Sequence, residues 1–334
     1  MSNIINFKTT VDYASLVIHV TDESHQDQII QRIRSTGESL ASFFKHPFKT
    51  LVQNPKNYRY QLALPMDDAF KPFHKNNEVP HLRIYASPYD EHRSFLRLEL
   101  KGHPYCDEKW AFANLWLACL LGDAGEMYLN SRRLKLSLGD IAVDVGVPIS
   151  ALSVCFSNIR KTGAYWNSGQ LETYYLGTTK NCNRVCIYNR LAKMQSLLKN
   201  SITGKAETRI EFRLKFNCFL DQLSNKHLIQ KIIKRIDIYD LVQMEKCGTF
   251  LPQTIHLFRN IGIQTILQTL DAEEKRRLRK KLKPFKLGFI KSDVIQTEMQ
   301  TALARLENLY SSNQPLERHK KVFKSHYPFI KHFI

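Results

Sequence analysis

With 334 residues, 43% hydrophobic and 11% aromatic, the chain has enough apolar material for two or three cored domains, which excludes a disordered chain. Its 49 Lys and Arg against 31 Asp and Glu leave a formal charge of +18. That excess repels itself in a compact fold, so a polyanionic partner is expected; nucleic acid is favoured over an anionic membrane because no amphipathic segment stands apart as an anchor.

The opening MSNIINFKTT lacks the apolar core of a signal peptide, from which a cytoplasmic location is expected. In the first third, Val11 to Val20, Tyr58 to Leu64, His81 to Ala86 and Phe95 to Lys101 read as strands. The SPYDEHRS stretch between the last two suits a hairpin connection. Gln26 to Phe44 has helical spacing, and Trp110 to Asn130 is the next helix. Its most apolar part, Trp110 to Leu121, is too short to span a bilayer and is broken by Asn114, so it reads as buried rather than membrane-embedded.

Arg133 to Val147 changes phase at Gly139. Leu134, Leu136 and Leu138 are apolar on even positions; Ile141, Val143, Val145 and Val147 are apolar on odd ones. A one-residue shift at a glycine predicts a β-bulge, with Asp140, Ala142 and Asp144 facing away from the core. Ile149 to Lys161 is predicted helical. Glu172 to Gly177 and Arg184 to Asn189 read as strands joined by Thr178 to Asn183, and Leu191 to Asn200 as a helix. Thr208 to Phe216 alternates cleanly, with Arg209, Glu211, Arg213 and Lys215 outward. From about Leu220 the chain looks helical and basic, with the dense run EEKRRLRKKLKPFK at Glu273 to Lys286. No solenoid repeat or long linker appears. The expected organisation is an α+β segment over 1–130, a sheet segment over 131–220 and a helical basic region over 221–334. Seven scattered cysteines fit reduced thiols, and Cys182 with Cys186 lacks the second pair that a zinc site requires.

Three of these strands place Asp140 and Asp144, Arg184 and Tyr188, and Arg209, Glu211 and Arg213 opposite their apolar residues. In one antiparallel sheet these side chains converge. Carboxylates can hold a hard divalent ion, arginine clamps phosphate oxygens, and tyrosine supplies a nucleophile once its phenol is activated. The same alternation also describes any half-exposed sheet, and of the 14 tyrosines most belong to semi-buried structural positions, Tyr174 and Tyr175 being the nearest competitors.

The stretch ETYYLGTTKNCNRVCIYNR (Glu172 to Arg190), followed by TRIEFRLK (Thr208 to Lys215), resembles the replication initiation factor family, which covers rolling-circle initiators of plasmids and filamentous phages and related conjugative relaxases. Tyr174-Tyr175-Leu176-Gly177-Thr178 is similar to that family's Tyr-Ile-Gly-Ser strand ending. Val185-Cys186-Ile187-Tyr188-Asn189-Arg190 is similar to its tyrosine strand, and Arg209-Ile210-Glu211-Phe212-Arg213 to its glutamate strand. Upstream, Gly139 to Asp144 resembles an Arg-x-Asp-x-Ala-x-Asp strand, Leu98 to Gly102 a Leu-x-x-Ser-Gly segment, and Val11-Asp12-Tyr13 the family's start. Gly139 stands where relatives have arginine, Cys186 where they often have arginine two residues before the tyrosine, and Arg190 where lysine is common.

The resemblance implies a mainly antiparallel central sheet, a variant of the HUH-endonuclease fold, followed by a basic helical C-terminal part. It implies nicking and rejoining of single-stranded origin DNA through a 5′-phosphotyrosyl intermediate. Tyr188 would be the nucleophile, with Arg184 and Arg209 on phosphate. Asp140 and Glu211, with Asp144, would hold Mg²⁺ or Mn²⁺; no His-x-His pair exists to hold it otherwise. DNA contacts are expected from Lys180, Arg190 and Arg213 around the sheet and from Arg276, Arg277, Arg279, Lys280 and Lys281 in the basic run. A host helicase and polymerase would be recruited, since no P-loop is present, and a homodimer is allowed. A conjugative-element relaxase with the same chemistry and a non-catalytic, sequence-specific DNA-binding regulator are the alternatives.

Overall fold

The computed structural model describes residues 7–44, 51–65, 81–101, 107–122, 128, 133–156, 159, 161–167, 170–177, 184–193, 208–222, 234–287, 297 and 317–328. The fold is α+β, with a large antiparallel sheet of ten strands. It divides into two compact units, one built on Val11–Gly139 with Phe216–Ser224 and Leu303–Ile334, the other on Met1–Thr10, Asp140–Lys215 and Asn225–Ala302. These limits differ from segment ends read at 130 and 220, because the division cuts three strands, Phe7–Ile18, Lys135–Val145 and Thr208–Phe219.

The first unit contains β1 (Phe7–Ile18), α1 (Glu23–Phe44), β2 (Leu51–Gln53), β3 (Tyr58–Pro65), β4 (His81–Pro88), β5 (Leu96–Lys101) and α2 (Asp107–Leu121). Its strands lie in the order β2-β3-β4-β5-β1. The period of two puts Leu62, Leu64, Leu82, Ile84, Leu98, Leu100, Leu16 and Ile18 on one buried face. Ile29, Ile33 and Leu40 of α1 are buried with them. The Asp22 carboxylate starts α1 by accepting the His25 N–H at 3.0 Å. Each such aliphatic side chain stabilises by roughly 1.5–3 kcal/mol on burial. The opposite face can therefore carry charged groups that contribute little to stability.

The second unit contains β6 (Lys135–Val145), a 3-10 turn (Ile149–Ala151), β7 (Leu152–Phe156), β8 (Thr162–Asn167), β9 (Gln170–Leu176), β10 (Arg184–Asn189), β11 (Thr208–Phe219) and β12 (Ile236–Asp240). The order is β6-β11-β10-β9-β8, with β7 and β12 paired separately. Here the structure corrects the sequence reading. Ile149 to Lys161, expected as a helix, holds instead a 3-10 turn at Ile149–Ala151 and a strand at Leu152–Phe156: β7 pairs antiparallel with β12, Ile238 facing Val154, and all five β7 residues are buried. A short apolar run buried on both sides carries no periodicity that separates strand from helix. Of Leu191 to Asn200, residues 191–193 are helical and 194–200 lie outside the described residues. β6 runs unbroken past Gly139, where a Cβ would stand 2.9 Å from the Phe216 ring.

Four helices follow: α3 (Leu241–Lys246), α4 (Pro252–Ile261), α5 (Ile263–Thr269) and α6 (Ala272–Leu282). Asp240 caps α3 through the Gln243 N–H, and Asp271 with Glu274 forms a reciprocal box at the start of α6. Gly262, at φ +78°, makes the break between α4 and α5. Their apolar faces close a core of Leu241, Met244, Ile255, Phe258, Ile263 and Phe285 with Cys155 and Tyr239. The last helix, α7 (Glu317–His326), belongs to the first unit; its Phe323 packs edge-on against Phe112 and Trp116, with centroids 5.3 and 4.9 Å apart. Among the described residues no helix is long and apolar enough to cross a membrane, and Cys119, Cys155, Cys186, Cys218 and Cys247 are free thiols.

Candidate active site

The period-two alternation of β10 sends Val185 and Ile187 to one face and Arg184, Cys186 and Tyr188 to the other. Register does the rest. Tyr188 lies opposite Arg209, Cys186 opposite Glu211, and Arg184 opposite Arg213 on β11. On the other side Cys186 faces Tyr175 and Tyr188 faces Thr173 of β9. Tyr165 of β8 faces Thr173 in turn. The sheet thus brings Tyr188, Arg184, Arg209, Arg213 and Glu211 together, with Asp140 and Asp144 of β6 beside them.

The Tyr188 hydroxyl donates a hydrogen bond to Glu211 Oε1. Tyr188 is only 5% exposed, yet it lines an open cleft of about 260 Å³ with Tyr175, Cys186 and Lys193. The Lys193 ammonium sits 4.1 Å from the Tyr188 ring centre, a cation–π contact that keeps a positive charge at the phenol. Burial pushes the Tyr175 phenol up to about 12. Burial, then the Glu211 carboxylate, does the same to the Cys186 thiol, also to about 12.

Arg209, expected to contact phosphate, is placed otherwise. It is 2% exposed, and its Nε and Nη2 donate to the two Asp144 oxygens at 2.6 and 2.7 Å. Arg190 Nη1 donates to the same carboxylate at 2.9 Å. Arg213 forks onto Asp140, its Nε donating at 2.6 Å and its Nη2 completing the pair. Burial raises the Asp140 carboxyl above its ordinary value, opposed by the Arg213 bonds. Arg184, like Arg213, is half-exposed. These carboxylate–guanidinium forks hold the strands in register and leave Arg209 no free edge for a ligand.

Asp140, Asp144 and Glu211 are the carboxylates nominated for Mg²⁺ or Mn²⁺. Among the described residues no three His, Cys, Asp or Glu side chains group closely enough to hold a metal ion. Both oxygens of Asp140 and of Asp144 already accept guanidinium N–H groups, and Glu211 Oε1 accepts from Tyr188. A hard cation needs several free oxygens, so this donor set as arranged does not fit one.

Of the residues expected to contact DNA, Lys180 lies outside the described residues. On α6, Arg276 and Arg277 are 78% and 73% exposed and reach Glu273, while Arg279, Lys280 and Lys281 are exposed. Arg279 also lines a polar cleft of about 390 Å³ with Arg235, Lys275, Gln264 and Gln268. Its carboxylate, Asp237, is paired with Lys286 at 2.8 Å, and Arg235, Lys275 and Arg279 line the cleft beside it.

Sequence reasoning missed Lys193, and it missed the aromatic edge. Tyr165 and Trp166 are 65% and 44% exposed on β8, and Tyr165 meets Tyr175 edge-on at 5.6 Å. The signal was TGAYWN, a short strand whose exposed aromatics alternate with nothing buried. Tyr174, a rival nucleophile, points to the other face; its hydroxyl donates to the Ile261 carbonyl at 3.1 Å and bonds Thr265 at 3.0 Å.

No family model matches the chain, and neither does any curated protein. Among solved structures, a rolling circle replication initiator protein from Geobacillus stearothermophilus is similar over 63% of this chain and 75% of that one, at 12% identity and a TM-score of 0.32, a distant likeness.

Proposed function

We propose that this chain nicks and rejoins single-stranded DNA at a replication origin, with Tyr188 as nucleophile, in the manner of a rolling-circle initiator. The observation that carries the proposal is the Tyr188–Glu211 hydrogen bond at the wall of an open cleft with Lys193 against the ring. Glu211 takes the phenolic proton as Tyr188 Oη attacks phosphorus. The P–Oη bond forms, the P–O3′ bond breaks, and the 3′-oxygen leaves as a hydroxyl after protonation by water. Lys193 and Arg184 are the cations placed to balance charge on the phosphoryl oxygens. Asp140 and Asp144 hold Arg213 and Arg209 and act as positioning residues. Tyr165 and Trp166 offer stacking surfaces for unpaired bases, and the cleft beside α6 offers cations to the backbone.

The test uses a randomised single-stranded 30-nucleotide library, the full chain and denaturing electrophoresis, with Mg²⁺ and Mn²⁺ supplied. A covalent protein–DNA adduct on Tyr188, lost in Tyr188→Phe while salt-sensitive binding persists, is the expected result. Binding with no adduct would overturn the enzymatic reading in favour of a DNA-binding regulator. An adduct on another tyrosine would overturn the choice of nucleophile.

A further inference from the structure

The two units share a strand topology. Taken in chain order, β1, β2, β3, β4 and β5 lie in the first unit as β2-β3-β4-β5-β1; β6, β8, β9, β10 and β11 lie in the second as β8-β9-β10-β11-β6. In both, the first strand pairs beside the last. The fourth and fifth of these strands carry matching residues: Arg83-Ile84-Tyr85 and Arg97-Leu98-Glu99-Leu100-Lys101 in one unit, Cys186-Ile187-Tyr188 and Arg209-Ile210-Glu211-Phe212-Arg213 in the other.

The registers match position for position. Tyr85 lies opposite Arg97 and Arg83 opposite Glu99, as Tyr188 lies opposite Arg209 and Cys186 opposite Glu211. The hydrogen bond matches too: Tyr85 Oη donates to Glu99 Oε2 at 3.2 Å, as Tyr188 Oη donates to Glu211. Agreement of topology, register, residue type and hydrogen bond is what duplication of one unit would leave behind.

The surroundings differ in charge. Where the second unit answers its arginines with Asp140 and Asp144, the first has Tyr13 and Ser15 on the neighbouring strand; Arg97 Nη2 meets Glu99 at 2.7 Å and its Nε donates to the Ser15 hydroxyl at 3.1 Å. Glu99 pairs with Arg97 and lies opposite Arg83 in the ladder, so two guanidinium-bearing residues flank this carboxylate. Tyr85 itself is half-exposed.

We propose that Tyr85 is a second phosphodiester-attacking tyrosine, with Glu99 as its proton acceptor and Arg83 and Arg97 facing the phosphate. The step balances as before. Tyr85 Oη bonds phosphorus, its proton passes to Glu99, the P–O bond to the leaving oxygen breaks, and that oxygen is protonated by water. The proposal rests on the reading of Tyr188 as a nucleophile, since it extends that geometry. It also meets a chemical need: a tyrosine already esterified to a 5′-phosphate cannot attack again, so a second cleavage requires a second nucleophile.

Thymidine 5′-(4-nitrophenyl) phosphate, an activated diester that needs no origin sequence, tests both sites on the full chain. Attack by either tyrosine releases nitrophenolate and leaves thymidylyl-tyrosine, which peptide mass mapping locates. Two equivalents per chain are expected, on Tyr85 and Tyr188, falling to one in Tyr85→Phe or Tyr188→Phe and to none in the double variant. Each variant removes a single oxygen, and far-UV circular dichroism checks that each is folded. Label on Tyr188 alone would overturn the second site and leave the first. Label on Tyr85 alone would sustain the second site and overturn the choice of Tyr188. No label on either would sink both.

Discussion

Removing Asp144 isolates the most deeply held charge of the polar row. The Arg209 side chain is 3% exposed and the Asp144 side chain 7%, with two short bonds between them. Arg190, on the same carboxylate, is 29% exposed and can turn to water. Asp144→Leu strands the Arg209 guanidinium without an acid, and breaking a buried pair in this way costs about 3–5 kcal/mol. The freed Arg190 adds about 0.5 kcal/mol at most, since half-exposed pairs stabilise little. Asp140→Leu is the control: its partner Arg213 is 30% exposed, so water compensates and the cost is about 1–2 kcal/mol.

Urea unfolding followed by hydrogen exchange at the β10 and β11 amides reads the difference. With a slope of roughly 2–3 kcal/mol/M, Asp144→Leu lowers the midpoint by roughly 1–2.5 M and Asp140→Leu by roughly 0.3–1 M. The double variant Asp144→Leu, Arg209→Met removes both charges and is expected to recover most of the loss, giving a coupling of about 2 kcal/mol or more. Equal effects of Asp144→Leu and Asp140→Leu, or a double variant no better than the single, would refute the argument from burial.

Because the Cys186 thiol is pushed up to about 12, its thiolate appears only as pH rises toward that value; iodoacetamide at pH 8 should alkylate exposed Cys247 and spare Cys186 until the protein is denatured, and equal rates would contradict this. Gly262→Ala should destabilise by about 2–4 kcal/mol, because φ is +78° and a Cβ would lie 2.5 Å from the Tyr174 hydroxyl; adding Tyr174→Phe should restore only the steric part, and full recovery of Tm would show that the backbone is unstrained. Lys275→Ala with Arg279→Ala should reduce the salt slope of single-strand binding by about 1.4, and an unchanged slope would remove the α6 cleft from the DNA path. Trp166→Ala should weaken single-strand binding by about 1–3 kcal/mol if one base stacks there, whereas unaltered affinity would exclude that edge.

Strands with one wet face were legible in the residues. Arg184–Asn189 and the strand beginning at Thr208 follow from alternation alone, as do β3, β4 and β5 within a residue or two. Alternation fails where both faces are buried, and β7 was lost for that reason: Leu152-Ser153-Val154-Cys155-Phe156 shows no period because every position is inside. β12 was lost inside a stretch whose basic composition suggested only helices. The convergence of Tyr188 and Glu211 was legible because period two fixes which side chains share a face. What each arginine would bind was not, since Asp140, Asp144 and Glu211 look alike in sequence and only cross-strand placement assigns Asp144 to Arg209 and Glu211 to the phenol.

That assignment splits the row into two kinds of group. Asp140 and Asp144 neutralise Arg213, Arg209 and Arg190, and a neutralised, register-fixing ladder is mechanically useful but chemically quiet. Glu211 is exempt from the ladder, with its oxygen on the phenol rather than on a guanidinium. A carboxylate outside the ladder has oxygens to offer the phenol, whereas the Asp144 carboxylate spends both of its oxygens on two arginines. In the first unit Glu99 has both duties, holding Arg97 and accepting from Tyr85. The two tyrosines therefore sit beside carboxylates with different duties; if both act as proposed, Tyr188, whose partner holds no guanidinium, is expected to take the thymidylyl label first, and faster labelling of Tyr85 would contradict this.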